Sequence, residues 1–168
     1  MNRKGFTLIE LVMVIILIGI ISVFAAPMLS NISTMKAGAF TDKLRANIRY
    51  AQNLAMSQNR RYRVYFNAAP SPNPGYAVVN DLNGNGVWGE AGEVAPDPAG
   101  SGNLSIALNA GQYAGITFSS VGFSGNYVEF DSFGVPYDSG GVLTVNKNVT
   151  VSPGGTTVTV TANTGAVN

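Results

Sequence analysis

Neither cysteine nor histidine occurs in this sequence, and charged residues make up only 11% of it. Without cysteine there is no disulfide, no thiol nucleophile and no thiolate metal site. That absence does not fix a redox compartment, because an exported protein need not use disulfides. Without histidine the usual general base and the commonest metal ligand are gone. Ser-His-Asp and Cys-His catalysis are therefore excluded. A hydrophobic content of 46% excludes a disordered chain. The 168 residues suffice for one compact domain and an appendage, not for two ordinary domains. Twenty glycines and eight prolines imply many turns.

The few charges are unevenly placed. Residues 1–59 hold six basic side chains and two acidic ones, whereas residues 60–168 hold four basic and seven acidic. Binding to nucleic acid needs clustered Lys and Arg to neutralise phosphates. The only cluster is Arg60, Arg61 and Arg63, read here as a solvated helix end and strand face, and residues 148–168 carry no charged side chain. Nucleic acid is not an expected partner.

Residues 6–26 read FTLIELVMVIILIGIISVFAA, with Glu10 as the only charged residue. As a helix this run covers about 31 Å, enough for a bilayer core of about 30 Å. Arg3 and Lys4 precede it, which keeps the short N-terminus cytoplasmic and exports the rest. A secretory signal peptide and a plain signal anchor are competing readings. The first has a shorter, uncharged apolar region with a small-residue cleavage site, for which Ala25-Ala26 is a weak candidate. Neither accounts for a glutamate near the start of the run, since an ionisable group in a membrane segment is costly and by default functional. A soluble core helix is the third reading, and the length of the run argues against it.

Lys4-Gly5-Phe6-Thr7-Leu8-Ile9-Glu10, the apolar run and Pro27 together resemble the leader and first helix of type IV pilins. The resemblance implies that residues 1–5 are a cytoplasmic leader, cut off by a prepilin peptidase between Gly5 and Phe6. It implies that the same enzyme methylates the new amino group of Phe6. It further implies a single-pass protein of the bacterial inner membrane, anchored by residues 6–26, with its C-terminal domain in the periplasm. The implied partners are the peptidase, other pilins or pseudopilins in a filament, and an inner-membrane assembly platform. In such a filament Glu10 of one subunit would pair with the Phe6 amine of a neighbour and set the axial register. The physics is consistent, because a carboxylate in apolar surroundings needs an opposite charge or a hydrogen-bonded partner. Gly5 suits an extended backbone in a protease cleft, and serves equally as a helix breaker.

Pro27 lacks a backbone donor and is expected to kink the helix there. Met28, Ile32 and Met35 follow helical spacing, and Phe40, Leu44, Ile48, Ala51 and Ala55 continue it, with Lys43, Arg45, Arg49 and Gln52 on other faces. The periodicity predicts helix over 27–59, its apolar stripe packed on the chain's own sheet. From residue 60 the composition turns to β. Short runs at 61–66, 76–79, 104–108, 115–118, 127–130, 142–145, 149–151 and 157–161 are separated by Gly, Asn, Pro and Ser turns. The expected architecture is α+β: a long N-terminal helix, membrane-spanning in its first half, packed on an antiparallel sheet or sandwich over 60–168, as in pilins.

Asp81-Leu82-Asn83-Gly84-Asn85-Gly86 opens like a calcium loop, with oxygen side chains at alternate positions and glycine sixth. Position twelve is Gly92 where a bidentate Glu belongs, flanked by Glu90 and Glu93. Asp81, Asn83, Asn85, Glu90 and Glu93 are the candidate calcium ligands. The alternative is a plain hairpin loop, since Asn-Gly is a preferred turn pair, and then no cofactor is expected. The stretch 76–86 with Gly92-Glu93, the turn Phe130-Asp131-Ser132-Phe133-Gly134-Val135-Pro136, and Val158-Thr159-Val160 followed by Thr164-Gly165-Ala166-Val167 resemble the GspH/FimT group of minor pseudopilins. Ala166 departs from the basic residue frequent there. The resemblance implies a subunit that helps assemble or cap the periplasmic filament of a type II secretion system; a minor, or else major, type IV pilin is the alternative. An anchored enzyme is the reading from another class. Glu129 and Asp131, two apart on an expected strand, would face one side and could do acid–base chemistry. No third group supports catalysis, and the expectation is a non-enzyme.

The mature chain is expected to start at methylated Phe6, as read by intact mass of membrane-extracted protein. Gly5→Val should block cutting, because a branched side chain restricts the extended backbone. A chain starting at Met1 or near Pro27 would refute this.

Overall fold

The computed structural model describes residues 6–168, with the backbone alone for residues 24–31. One helix, α1 (Leu8–Gln58), precedes nine strands: β1 (Tyr62–Phe66), β2 (Gly75–Asn80), β3 (Ser105–Ala107), β4 (Thr117–Val121), β5 (Tyr127–Phe130), β6 (Pro136–Asp138), β7 (Gly141–Val142), β8 (Lys147–Ser152) and β9 (Thr156–Val160). The α+β expectation is met, and two short 3-10 turns at Gly111–Tyr113 and Ser124–Asn126 lie between strands.

Both ends of α1 follow from side-chain chemistry. Thr7 has extended backbone angles and its hydroxyl accepts from the Glu10 amide at 3.3 Å. The Thr-x-x-Glu spacing is that of a capping box, and an acid in the first turn suits the helix dipole. At the other end Asn59 takes a left-handed conformation, φ 52°, and donates its N–H to the Ala55 carbonyl. Asparagine tolerates that region better than most residues with a side chain. The helix is unbroken through position 27; the kink expected from Pro27 falls among the residues described by backbone alone.

The lower half of α1 is amphipathic, and Ala37, Phe40, Leu44, Ile48, Ala51 and Ala55 are fully buried at spacings of three and four. The stripe does not extend upward as expected. Ile32 is 50% and Met35 74% exposed, so the fully buried stripe ends at Ala37, although Ile32 still borders a concavity with Ile116 and Pro153. From Leu8 to Val23 the side chains are exposed on nearly every face. Among the described residues no helix is long and apolar enough to cross a membrane; the described side chains of the 6–26 run stop at residue 23.

Two antiparallel sheets clasp the buried stripe. The larger has the order β3-β2-β1-β5-β6-β7, and the smaller β4-β8-β9. β1 is central, pairing Val64 with Val78 on one side and with Val128 on the other. An aromatic cluster joins helix and sheets: the Phe40 ring lies 6.0 Å from both Tyr76 and Phe118, and Phe66 meets Phe118 edge-on at 5.6 Å. The Tyr76 hydroxyl accepts from Asn47 Nδ2 at 2.7 Å, which satisfies both buried polar groups.

Several strand boundaries differ from expectation. β4 starts at Thr117 rather than 115 and runs on to Val121. The run 142–145 joins a ladder only at Val142. Leu143 instead drops into the core, its N–H bonded to the Pro136 carbonyl, and the chain then leaves the sheet. β6 was not foreseen, because Pro136 opens a strand of only three residues.

Burial pushes the Tyr76 phenol well above its ordinary value, with the Asn47 hydrogen bond opposing in part. A raised folded pKa contributes stability below the unfolded value and loses it as pH rises. The melting temperature should therefore fall above about pH 10. Tyr76→Phe should lower stability by about 1–3 kcal/mol by stranding Asn47, yet flatten that alkaline decline. An unchanged alkaline slope in the variant would refute the assignment.

Candidate functional site

The residues singled out by sequence fall at two ends of α1. Gly5 lies outside the described residues. Phe6 is 81% exposed immediately before the Thr7 cap, and Glu10 sits in the first helical turn among exposed Leu8, Ile9, Leu11 and Met13. None of the described residues forms a salt bridge with Glu10. A carboxylate on an apolar helix surface is an unfinished interaction in a lone chain. Thr7 was not picked out as a capping residue, although the Thr-x-x-Glu spacing carries the signal.

Asp81, Asn83, Asn85, Glu90 and Glu93 all lie in the loop after β2, as expected, but their oxygens point to the loop itself. Asp81 Oδ1 accepts from the Gly84 amide at 2.7 Å and the Asn85 amide at 3.1 Å, while Oδ2 accepts from Gly86 at 2.8 Å. Asn83 and Asn85 donate their side-chain amides to Glu90 Oε2 at 2.9 and 2.8 Å. Glu93 is 2% exposed, accepting from the Leu82 and Asn83 amides through Oε1 and from the Glu90 amide through Oε2. Gly84 and Gly86 have φ of 73° and 81°, which the tight turns require. Among the described residues no three acidic side chains converge as a metal cage. The loop is held by carboxylate-to-amide bonds.

A second polar centre lies under this loop. Glu129 on β5 is buried and bonded by Arg61 Nη1 and Arg63 Nε, each at 2.5 Å. The guanidinium of Arg63 is stacked between Trp88, 3.8 Å from the ring centroid, and Tyr127, 4.2 Å from it. Burial pulls the Arg63 pKa down, but the hydrogen bonds to Glu129 and Tyr65 more than offset it, and the net shift is upward. The sequence reading of Arg63 as a solvated charge is thus corrected, whereas Arg61 stays 53% exposed while it bonds Glu129. Residues separated by three intervening strands carry no signal that they share a carboxylate.

Glu129 and Asp131 do not form an acid–base pair. Glu129 is neutralised by two arginines, and Asp131 lies past the end of β5. Its Oδ1 accepts from the Phe133 and Val135 amides, both at 2.9 Å, and its Oδ2 from the Tyr137 hydroxyl at 3.1 Å. That turn holds Phe133 outward, 86% exposed. The Thr164-Gly165 turn packs against it: Gln52 Nε2 donates to the carbonyls of both Gly134 and Thr164. A Cβ at Gly165 would collide with the Gly134 carbonyl oxygen. The two motifs are one structure at the far end of α1.

Residues 1–26 match the family model of the prokaryotic N-terminal methylation motif, and residues 41–166 match that of type II transport protein GspH. No curated protein and no solved structure matches the chain.

Adding calcium to the full-length protein in detergent should leave its melting temperature unchanged, whereas a calcium site would raise it by mass action. Asp81→Ala should destabilise by about 1 kcal/mol, through lost hydrogen bonds to backbone amides, with or without chelator. A calcium-dependent rise that Asp81→Ala abolishes would overturn the hydrogen-bonded reading of the loop.

Proposed function

The chain belongs to the type II transport protein GspH family, and from that membership we propose that it is a minor pseudopilin of a type II secretion system. In this reading residues 6–26 anchor it by a single pass in the inner membrane, with the N-terminus cytoplasmic and the β-rich domain periplasmic. Prepilin peptidase removes residues 1–5 and methylates Phe6. The mature subunit joins other pseudopilins, on an inner-membrane assembly platform, in the filament that drives export. Its role is to help assemble or cap that filament. A structural subunit of this kind uses no cofactor and performs no catalysis.

The observation that carries the reading is the division of α1. Its lower half is consumed by the chain's own sheets, while residues 8–23 present exposed apolar side chains and one carboxylate. An exposed apolar helix needs lipid or protein around it. In a lone subunit the Glu10 carboxyl can approach the headgroups. In a filament the Phe6 amine of a neighbour neutralises it. Pairing is then a condition of entry into the filament and not of folding.

Glu10→Ala should leave export, leader cleavage and the melting temperature intact, while cross-linking to partner subunits drops. Glu10→Gln keeps the shape and loses the charge, so it should behave like alanine. Wild-type cross-linking and secretion in either variant would sink the assembly role of Glu10.

A further inference from the structure

From Leu11 to Met35 the chain carries no charged side chain, and Lys36 is the first after Glu10. The part of the domain beside Lys36 belongs to the small sheet. The turn after β8 meets α1 at Thr34, where a Cβ on Gly154 would lie 3.2 Å from Thr34 Cγ2. Further along the helix the Thr41 and Thr156 hydroxyls are bonded at 2.7 Å, and Arg49 Nη2 donates to the Val167 carbonyl at 2.6 Å. The small sheet therefore climbs α1 away from the apolar run. Turn 152–156 and the segment 112–116 before β4 form the end of the domain that faces residues 6–26. Together with helix residues 27–36, these segments contain one charged side chain, Lys36.

Lys36 borders a concavity of about 270 Å³, lined also by Ile32, Ala114, Ile116 and Pro153. Ile32 and Met35 are exposed beside it, and Lys36 is in no salt bridge among the described residues. The helix rise sets the height of these groups. With residues 6–26 filling a bilayer core, Ile32 stands about 9 Å and Lys36 about 15 Å beyond Ala26. Headgroups occupy about 5–8 Å on each side of that core. Side chains on a helix lean toward its N-terminus, which here is back toward the bilayer. A long lysine stem then carries its ammonium down to the headgroups, as such side chains do at membrane interfaces. A cation with no local counterion, on an otherwise uncharged end, complements the negative surface of anionic lipids.

We propose that this end of the domain docks on the bilayer, with the Lys36 ammonium on the phosphates of anionic lipids and Ile32 and Met35 at the headgroup surface. The partner is a lipid surface and not another chain. The proposal rests on the anchoring of residues 6–26 given above, because only a spanning helix fixes this height. The contact belongs to the free subunit. A subunit entering a filament gives it up, so docking opposes assembly and filament contacts must outweigh it.

The absence of cysteine lets a fluorophore be placed by single substitution in the full-length chain, at one chain per nanodisc. On Ala114→Cys, a lipid with a nitroxide headgroup should quench it more in phosphatidylglycerol discs than in phosphatidylcholine discs. Lys36→Gln should lower the docked-to-free ratio about fivefold, the effect of one ammonium at an anionic surface, and Lys36→Arg should keep it. Lys43 stands about 10 Å further out, beyond a Debye length of about 8 Å, so Lys43→Gln should change little. A label on Phe133→Cys, at the far end of α1, should stay unquenched. Ile16→Cys with a nitroxide on the lipid chain reports insertion of the helix. If Ile16 is quenched and Ala114 is not, the anchor stands and docking is wrong. If Ile16 is not quenched, both fall. Ala114 quenching indifferent to lipid charge or to Lys36→Gln would also overturn the proposal. So would its relief by inorganic phosphate at matched ionic strength, which would mark a small-anion site instead of a lipid surface.

Discussion

One stripe of α1 holds together parts that are otherwise separate. The two sheets share no strand pairing among the described residues, so side chains must join them. Ala37, Phe40, Leu44, Ile48, Ala51 and Ala55 do this from the helix side, and the order of sizes matters. Phe40 and Leu44 fill the wide gap between the sheets, where Phe118, Tyr76 and Phe66 converge. Ala51 and Ala55 let the backbone of α1 approach closely lower down. A packed interior resists both loss and gain of volume, so this taper fixes how the helix lies. Every other feature, from the Asn59 cap to the joined turns at 131–135 and 164–165, is placed relative to it.

The same helix is also the clearest case of a sequence stating its own role. An unbroken apolar run with one carboxylate, then a three-four spaced stripe, set two stretches of one element apart, and residues 8–23 are exposed while 37–55 carry a buried stripe. Most strands were readable too, because alternation over Tyr62–Phe66 or Thr156–Val160 leaves few choices of face. The limit of the stripe was not readable. Ile32 and Met35 obey the helical period, but Ile32 only borders a concavity beside Ile116 and Pro153 and Met35 stays exposed. Leu143 shows the converse: its neighbours alternate like a strand, while burial and backbone bonds to Pro136 and Asn163, outside any strand, hold it.

What stayed hidden in the candidate sites was pairing across distance. Arg61 and Arg63 sit on or beside β1 and Glu129 on β5; the register Arg63 opposite Glu129 makes them neighbours. Strand register follows from the whole hydrophobic pattern and not from the charged residues, so no local motif marks the cluster. Trp88 adds a contact of the same kind, reaching from the acidic loop to cover the Arg63 guanidinium. The loop is thereby pinned at its end and its middle: by Glu93 to its own amides and by Trp88 to the sheet. The same spacing that resembled a cation site places the Gly84, Asn85 and Gly86 amides around the Asp81 carboxylate.

That loop contains Asn83-Gly84 and Asn85-Gly86, the dipeptides most prone to spontaneous deamidation. The damage begins when the glycine nitrogen attacks the preceding asparagine side chain to close a succinimide. Here the Gly84 and Gly86 nitrogens are both engaged by the carboxylate of Asp81. The attacking atoms are thus turned away from their targets in the folded state. Asp81 therefore bears on the chemical ageing of the loop as well as on its shape, because one carboxylate occupies both of the nitrogens that would attack the asparagines.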